Sequence, residues 1–151
     1  LSKIIMTTSK ENMRLMKILD DAWNSKDWGT FNKLHATDVN VYWPGQSEPT
    51  RGVHIHQKEA EIFFNTFPDN LIENDPYIVL FAQKDWTCSI ANFSGTHTNS
   101  MTGENGKTIP PTNKKFQIEL CTVAHWKKGQ IIEERLFYDL VGLMRQLGWI
   151  Q

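Results

Sequence analysis

The sequence predicts an α+β fold, a curved and mostly antiparallel sheet wrapped around N-terminal helices into an open cone with an apolar central pocket. Three observations predict it. Apolar residues recur at helical spacing as far as Phe67 and in strand-like runs beyond it. Helices first and long strands later is the order of α+β chains, not of alternating α/β ones. The chain also carries six Trp and eight Phe in 151 residues. That many large rings in a small domain make either a bulky core or the wall of a cavity.

The elements follow in order. Thr8 with Glu11 three residues later fits a capping box, so the first helix is expected to begin near Thr8. Met13, Met16, Ile18, Leu19 and Trp23 give it an apolar stripe, and Asn24-Ser25-Lys26-Asp27 breaks it. A short second helix carries Trp28, Phe31 and Leu34 on one face. Val39 to Trp43 alternates like a strand and ends at Pro44-Gly45. Gly52 precedes a third helix, Val53 to Phe67, with Ile55, Ile62, Phe63 and Phe67 as its apolar face. Phe67-Pro68-Asp69-Asn70 stops it. Strands are then expected at Tyr77 to Ala82, Trp86 to His97, Phe116 to Lys127 and Gln130 to Tyr138. Thr98 to Thr112 reads as a loop, Lys128-Gly129 as a hairpin turn, and Leu140 to Leu147 as a short terminal helix.

The bulk numbers set limits. At 151 residues one domain, 1–151, is the default, large enough for a real core. A net charge of -1 with interspersed signs leaves no basic stripe for phosphates, which argues against a nucleic-acid partner. No apolar run approaches the ~20 residues of a membrane span. Cys88 and Cys121 have no zinc-site spacing and read as reduced thiols of a cytoplasmic protein. The start at Leu1 shows no secretory pattern, and Met6 is a candidate true start.

Several short motifs then point to one family. Phe67-Pro68-Asp69, Gly95-Thr96-His97-Thr98, Ile109-Pro110-Pro111-Thr112 and Gly129-Gln130-Ile131-Ile132-Glu133 occur in that order. Asp139 followed by Leu143-Met144-Arg145-Gln146-Leu147-Gly148 closes the series. Each is weak alone, but together they resemble the SnoaL-like polyketide cyclases. The resemblance implies the cone-shaped, cystatin-like α+β barrel shared with nuclear transport factor 2 and ketosteroid isomerase. It also implies a cytoplasmic protein, often a homodimer, that acts on a small hydrophobic molecule without metal or organic cofactor. Intramolecular aldol ring closure is the family's reaction, and an isomerisation would use the same groups. The alternative on the same fold is a non-catalytic module that binds a hydrophobic ligand or a protein. Hydrolysis such as epoxide opening is a third reading, which needs a water held by Asp139 and a second polar group.

An aldol cyclase takes a proton from a carbon beside a carbonyl, which calls for an acid/base group in a pocket dry enough to tune it. Asp139, in Leu136-Phe137-Tyr138-Asp139-Leu140, falls on the family's acid/base position. Read locally, it is equally an N-cap for the helix that starts at Leu140. His97 is a candidate proton donor, or else a satisfied strand-end histidine. His125 is a candidate partner of Asp139 if a three-residue, bulged loop puts both on one face. A two- or four-residue loop would put them on opposite faces. Arg135 stands where the family often has Trp. Pointing inward, it would hold Asp139 ionised or bind a substrate carboxylate. Loop 101–107 is longer than the family's, and Asn113 replaces a Gly, so substrate identity does not carry over. Trp28, Trp43, Phe63, Phe67, Phe93 and Phe137 are candidates for the pocket wall. His54-Ile55-His56 with Glu61 only superficially resembles a cupin metal motif, because it sits at a helix start, and no metal is expected.

Overall fold

The computed structural model describes residues 2–103 and 105–151. Leu1, on which the start is read, and Glu104, a member of loop 101–107, lie outside the described residues. Among the described residues, four helices, α1 (Ser2–Ser25), α2 (Trp28–Leu34), α3 (Val53–Thr66) and α4 (Leu140–Gln146), accompany nine strands. The strands are β1 (His35–Tyr42), β2 (Thr50–Arg51), β3 (Leu71–Glu73), β4 (Val79–Gln83), β5 (Trp86–Thr96), β6 (Met101–Thr102), β7 (Thr108–Ile109), β8 (Lys115–Lys127) and β9 (Gln130–Phe137). The main sheet runs β2-β1-β9-β8-β5-β3, with β4 also paired to β5. Every pair in it is antiparallel except β1 on β9. The fold class is therefore the α+β class expected. No helix among the described residues is long and apolar enough to cross a membrane.

Helix α1 starts at Ser2, not at the Thr8 capping box, and Glu11 instead pairs with Arg14 one turn on. Its inward face carries Met16, Leu19 and Trp23, and with them the polar Asn12 and Asp20. Lys26, with φ of 57°, ends it, and Asp27 caps α2 by accepting from the Thr30 amide. Helix α3 buries Val53, His56, Ala60 and Phe64 and ends at buried Phe67. That stripe follows the 3.6-residue period. Ile55 and Ile62, expected inside, lie seven residues apart on the outer side and are 50% and 60% exposed.

Strands β5 and β8 form the centre of the sheet, Trp86–Thr96 running along Lys115–His125. Thr87, Ala91 and Phe93 face the helices from β5, and Phe116, Leu120 and Ala124 do so from β8. Cys88 and Cys121 are free thiols 3.9 Å apart on these strands. β1 begins at His35, before the expected Val39, β2 and β3 form where no strand was expected, and the 98–112 loop folds a two-strand ribbon, β6 with β7.

The turn between β8 and β9 decides which residues reach the interior. Lys127 pairs with Gln130 across a two-residue turn in which Lys128 and Gly129 both have positive φ, 51° and 77°. Such paired left-handed residues match the twist of a hairpin. Trp126 then opposes Ile131, but His125 opposes Glu133, so Ile132 is an extra residue, a β-bulge. A one-residue insertion flips every later side chain to the other face. Ile131, Glu134 and Leu136 consequently face inward, and Arg135 and Phe137 face out.

Candidate active site

A mostly apolar cavity lies between the helices and the inner face of β5, β8 and β9. Leu19 and Trp23 of α1, Phe63 of α3, Phe93 of β5 and Leu136 of β9 form much of its wall. Its free volume is about 40 Å³, room for a few waters, and the half-buried Trp43 and Tyr138 stand in its wall. Among the described residues no Lys or Arg lines it. Its ionisable lining groups are Asp20, His56, Glu134 and Tyr138.

Asp20 stands one turn after Met16 and one before Trp23, so the amphipathic register of α1 carries its carboxylate inward. The Tyr77 hydroxyl, on the approach to β4, donates to Asp20 Oδ2 at 2.6 Å. Burial pushes the Asp20 carboxyl up to about 7, against the opposing effect of the Tyr77 hydrogen bond and with help from the Glu134 charge. Burial beside Asp20 likewise drives the Tyr77 phenol upward, so it remains a donor.

The second polar group is a buried cluster. His35 is the joint between α2 and β1, and its Nδ1 lies 2.7 Å from the Phe31 carbonyl oxygen. A carbonyl only accepts, so Nδ1 carries the hydrogen. His35 Nε2 lies 3.2 Å from Glu134 Oε2. His56, one turn into α3, brings its Nε2 within 3.4 Å of the same oxygen. Its Nδ1 stops 3.7 Å from Glu59 Oε1, too far for a hydrogen bond. Glu59 is itself held by Thr50 Oγ1 at 2.8 Å and Trp43 Nε1 at 3.3 Å. Burial opposes a charge on His56, but the Glu134 and Glu59 carboxylates outweigh it and raise the ring to about 9. Burial likewise disfavours a charged Glu134, yet the two imidazoles hold it well below the usual carboxylate range. A group near neutral pH on one side and a paired, charge-bearing cluster on the other is an arrangement able to move a proton and steady the charge it leaves.

The expected site residues are distributed differently. Asp139 is exposed, and its carboxylate accepts the Gly142 amide at 2.8 Å as the N-cap of α4. The expectation that it faces the cavity is corrected: Tyr138 lines the cavity, Asp139 after it is exposed, and the cap consumes the carboxylate. His97 is buried but off the cavity. Its Nδ1 accepts the Thr112 amide at 3.3 Å and the Trp149 indole at 3.2 Å, and burial lowers its pKa. His125 lies on the outer face, 2.7 Å from Asp85 Oδ2 and stacked on Trp86. The alternation of β8, with Ala124 and Trp126 inward, puts it there, and it opposes Glu133, well before Asp139 along β9. Arg135 pairs with Glu133 at 2.7 Å and covers the Tyr42 ring at 4.1 Å, and Phe137 is 54% exposed. Phe137 was expected on the pocket wall and Arg135 had a site role only if it pointed inward; the bulge turns both out. Trp43, Phe63 and Phe93 do line the cavity, whereas Phe67 and Trp28 pack behind it, against Phe63 and Phe31 respectively. The sequence reading missed Asp20, His35 and Glu134, and it met His56 only in the discarded cupin-like motif. Asp20 alone had a usable signal, its place on the Met16–Trp23 face.

Comparison with known proteins gives a consistent picture. No curated protein sequence matches the chain. Among solved structures, a candidate SnoaL-like polyketide cyclase from Jannaschia sp. CCS1 superposes with a TM-score of 0.81 at 17% identity, covering 95% of each chain. IdmH, a candidate polyketide cyclase from Streptomyces antibioticus, gives 0.76 at 22%, over 91% of this chain and 98% of its own. An LEH-like epoxide hydrolase from M. tuberculosis gives 0.69 at 14%, over 93% and 92%. At these identities the likeness is one of fold. The sequence model of the SnoaL-like polyketide cyclases matches residues 13–147, nearly the whole chain, and the protein belongs to that family.

Proposed function

We propose that the protein is an acid/base enzyme of polyketide-cyclase type, acting on a small apolar or aromatic carbonyl compound. Asp20 is the general base, taking the proton from the carbon beside the carbonyl, and the same group returns a proton after ring closure or double-bond shift. The single observation that carries this reading is a buried carboxylate at about 7, hydrogen-bonded to Tyr77, on the wall of an otherwise apolar cavity. A base poised near the working pH combines the right protonation state with the largest driving force. The cationic group on the far side is His56, its charge balanced by Glu134, and it is the candidate to meet the developing enolate oxygen. The apolar wall excludes water and selects a small, uncharged substrate, in keeping with the narrow free volume.

The test is proton exchange in deuterated water with a panel of small aryl β-ketoesters, followed by NMR. The wild-type protein is expected to exchange the acidic carbon-bound proton of at least one of them. Asp20→Asn is expected to lower that rate by about 10²- to 10⁴-fold, with ligand binding, read by Trp fluorescence, retained. Binding without exchange would instead identify a ligand-binding module. Exchange undiminished in Asp20→Asn would remove Asp20 from the chemistry.

A further inference from the structure

The hydrogen-bonded cluster behind the cavity also has the geometry of a ligand set. His35, His56 and Glu134 are 1%, 3% and 6% exposed, and they come from three separate elements. Their atoms His35 Nε2, His56 Nε2 and Glu134 Oε2 all lie within 4.8 Å of one another. Both nitrogens approach the same carboxylate oxygen, at 3.2 Å and 3.4 Å. In a tetrahedral complex with metal–ligand bonds of about 2.0–2.1 Å, neighbouring donor atoms stand about 3.3–3.4 Å apart. The two short edges of the cluster have that length.

The outer partners fix the rings in the matching sense. His35 Nδ1 carries its hydrogen toward the Phe31 carbonyl, so in a neutral ring Nε2 turns a lone pair on Glu134. His56 Nδ1 is buried, has no hydrogen-bond partner, and faces the Glu59 carboxylate at 3.7 Å. A hydrogen on that nitrogen is favoured by Glu59, so in a neutral ring Nε2 again turns a lone pair on Glu134. Two lone pairs and a carboxylate oxygen repel one another unless positive charge lies among them. A divalent cation between the three atoms supplies it with both rings neutral. A histidine whose second nitrogen faces a carbonyl or a carboxylate is also the usual setting of a metal-binding imidazole.

We propose that His35 Nε2, His56 Nε2 and Glu134 Oε2 bind a single divalent transition-metal ion of the zinc or ferrous class. Two imidazoles and one carboxylate suit such borderline ions better than magnesium or calcium. Three protein ligands leave a coordination position open, the mark of a catalytic rather than a structural site. His56 and Glu134 line the cavity, so that position faces it and would take a substrate carbonyl or a water. The proposal deepens the acid/base reading, resting on the same cavity but not on Asp20. Glu59 is a positioning residue for His56.

The experiment is titration of chelator-treated protein with Co²⁺ alone, read by visible absorption and calorimetry, with Zn²⁺ as competitor. One ion per chain is expected, with the visible bands of low-coordinate cobalt and full displacement by zinc. Glu59→Gln is expected to weaken binding by about 10- to 100-fold, and His56→Gln and Glu134→Gln by more. Should those two variants fail to fold, the wild-type histidine NMR signals decide. Cobalt is expected to broaden His35 and His56 first, and broadening confined to His54, His97 or His125 overturns the site. Absence of stoichiometric binding to the folded wild type, or binding unchanged in His56→Gln and Glu134→Gln, also overturns it. Asp20→Asn is expected to bind cobalt like the wild type, so the two readings fail separately.

Discussion

Replacing Asp20 by Asn probes the group on which the acid/base reading rests, without reference to any substrate. The amide is the same size, and its oxygen still accepts the Tyr77 hydroxyl that now sits 2.6 Å from Oδ2. What the change removes is an ionisation. Burial moves the Asp20 carboxyl from its ordinary 3.8 to about 7 in the folded protein. That shift of about 3 pH units, at 1.36 kcal/mol each, is about 4 kcal/mol. Between about pH 4 and pH 7 the unfolded chain has released this proton while the folded chain keeps it. The unfolded state then binds fewer protons, so this group makes stability fall as pH rises, and the fall levels off above about pH 7. Glu134 and His56 titrate in both proteins and largely cancel in the difference. The variant should therefore gain about 4 kcal/mol on the wild type between about pH 4 and about pH 8. Urea unfolding followed by tryptophan fluorescence measures it, since Trp23 lies in the core one turn from Asp20. Parallel pH profiles for the two proteins would refute the elevated carboxyl and with it the case for Asp20 as a base near neutrality.

Two further substitutions separate structural from chemical roles. Asp139→Ala should cost about 1 kcal/mol in thermal unfolding through the lost α4 cap, and leave proton exchange within about twofold of wild type. A large loss of exchange at that modest cost would return Asp139 to the chemistry. Gly95→Ala would place a Cβ 2.9 Å from Phe116 Cε1 and 3.2 Å from Asn70 Cβ. Phe116 is fully buried and Asn70 accepts the Trp23 indole at 2.8 Å, so neither gives way easily. A destabilisation of about 1–3 kcal/mol is expected by urea titration, and a loss under about 0.5 kcal/mol would show that the strand can shift to make room.

What the sequence made legible follows from which signals are local. The stripe Met16, Leu19, Trp23 located α1 and its buried face, and the break at Asn24–Asp27 located its end. The terminal cap was visible because Asp139 directly precedes a helical run. The bulge at Ile132 was not visible, for nothing in Gln130–Tyr138 marks which residue is extra. That one residue exchanges Arg135 and Phe137 for Glu134 and Leu136 on the inner face, and moves the candidate site with it. In α3 two stripes compete. Ile55 and Ile62 look the more apolar, but Val53, Ala60 and Phe64 fill the core and carry His56 in with them. His35 sits where helix turns to strand, and neither period describes such a joint.

The four polar groups of the site come from α1, the α2–β1 joint, α3 and β9, so no short motif contains two of them. Family motifs such as Gly95–Thr98 and Phe67–Asp69 instead mark backbone junctions. Asp69 ties the start of β3 to Thr96 at 2.7 Å, and His97 knots the end of β5 to Thr112 and Trp149. Such residues fix the frame, and the frame brings the scattered acids and imidazoles together. Gathering them is costly. Taking a carboxylate and two imidazoles out of water is repaid only by close pairing, and apolar replacements of similar shape would often be as stable or more so. Three buried ionisable groups from three elements, in contact behind an apolar cavity, therefore make little sense as a device for stability. They make sense if something bound in that cavity needs the charge.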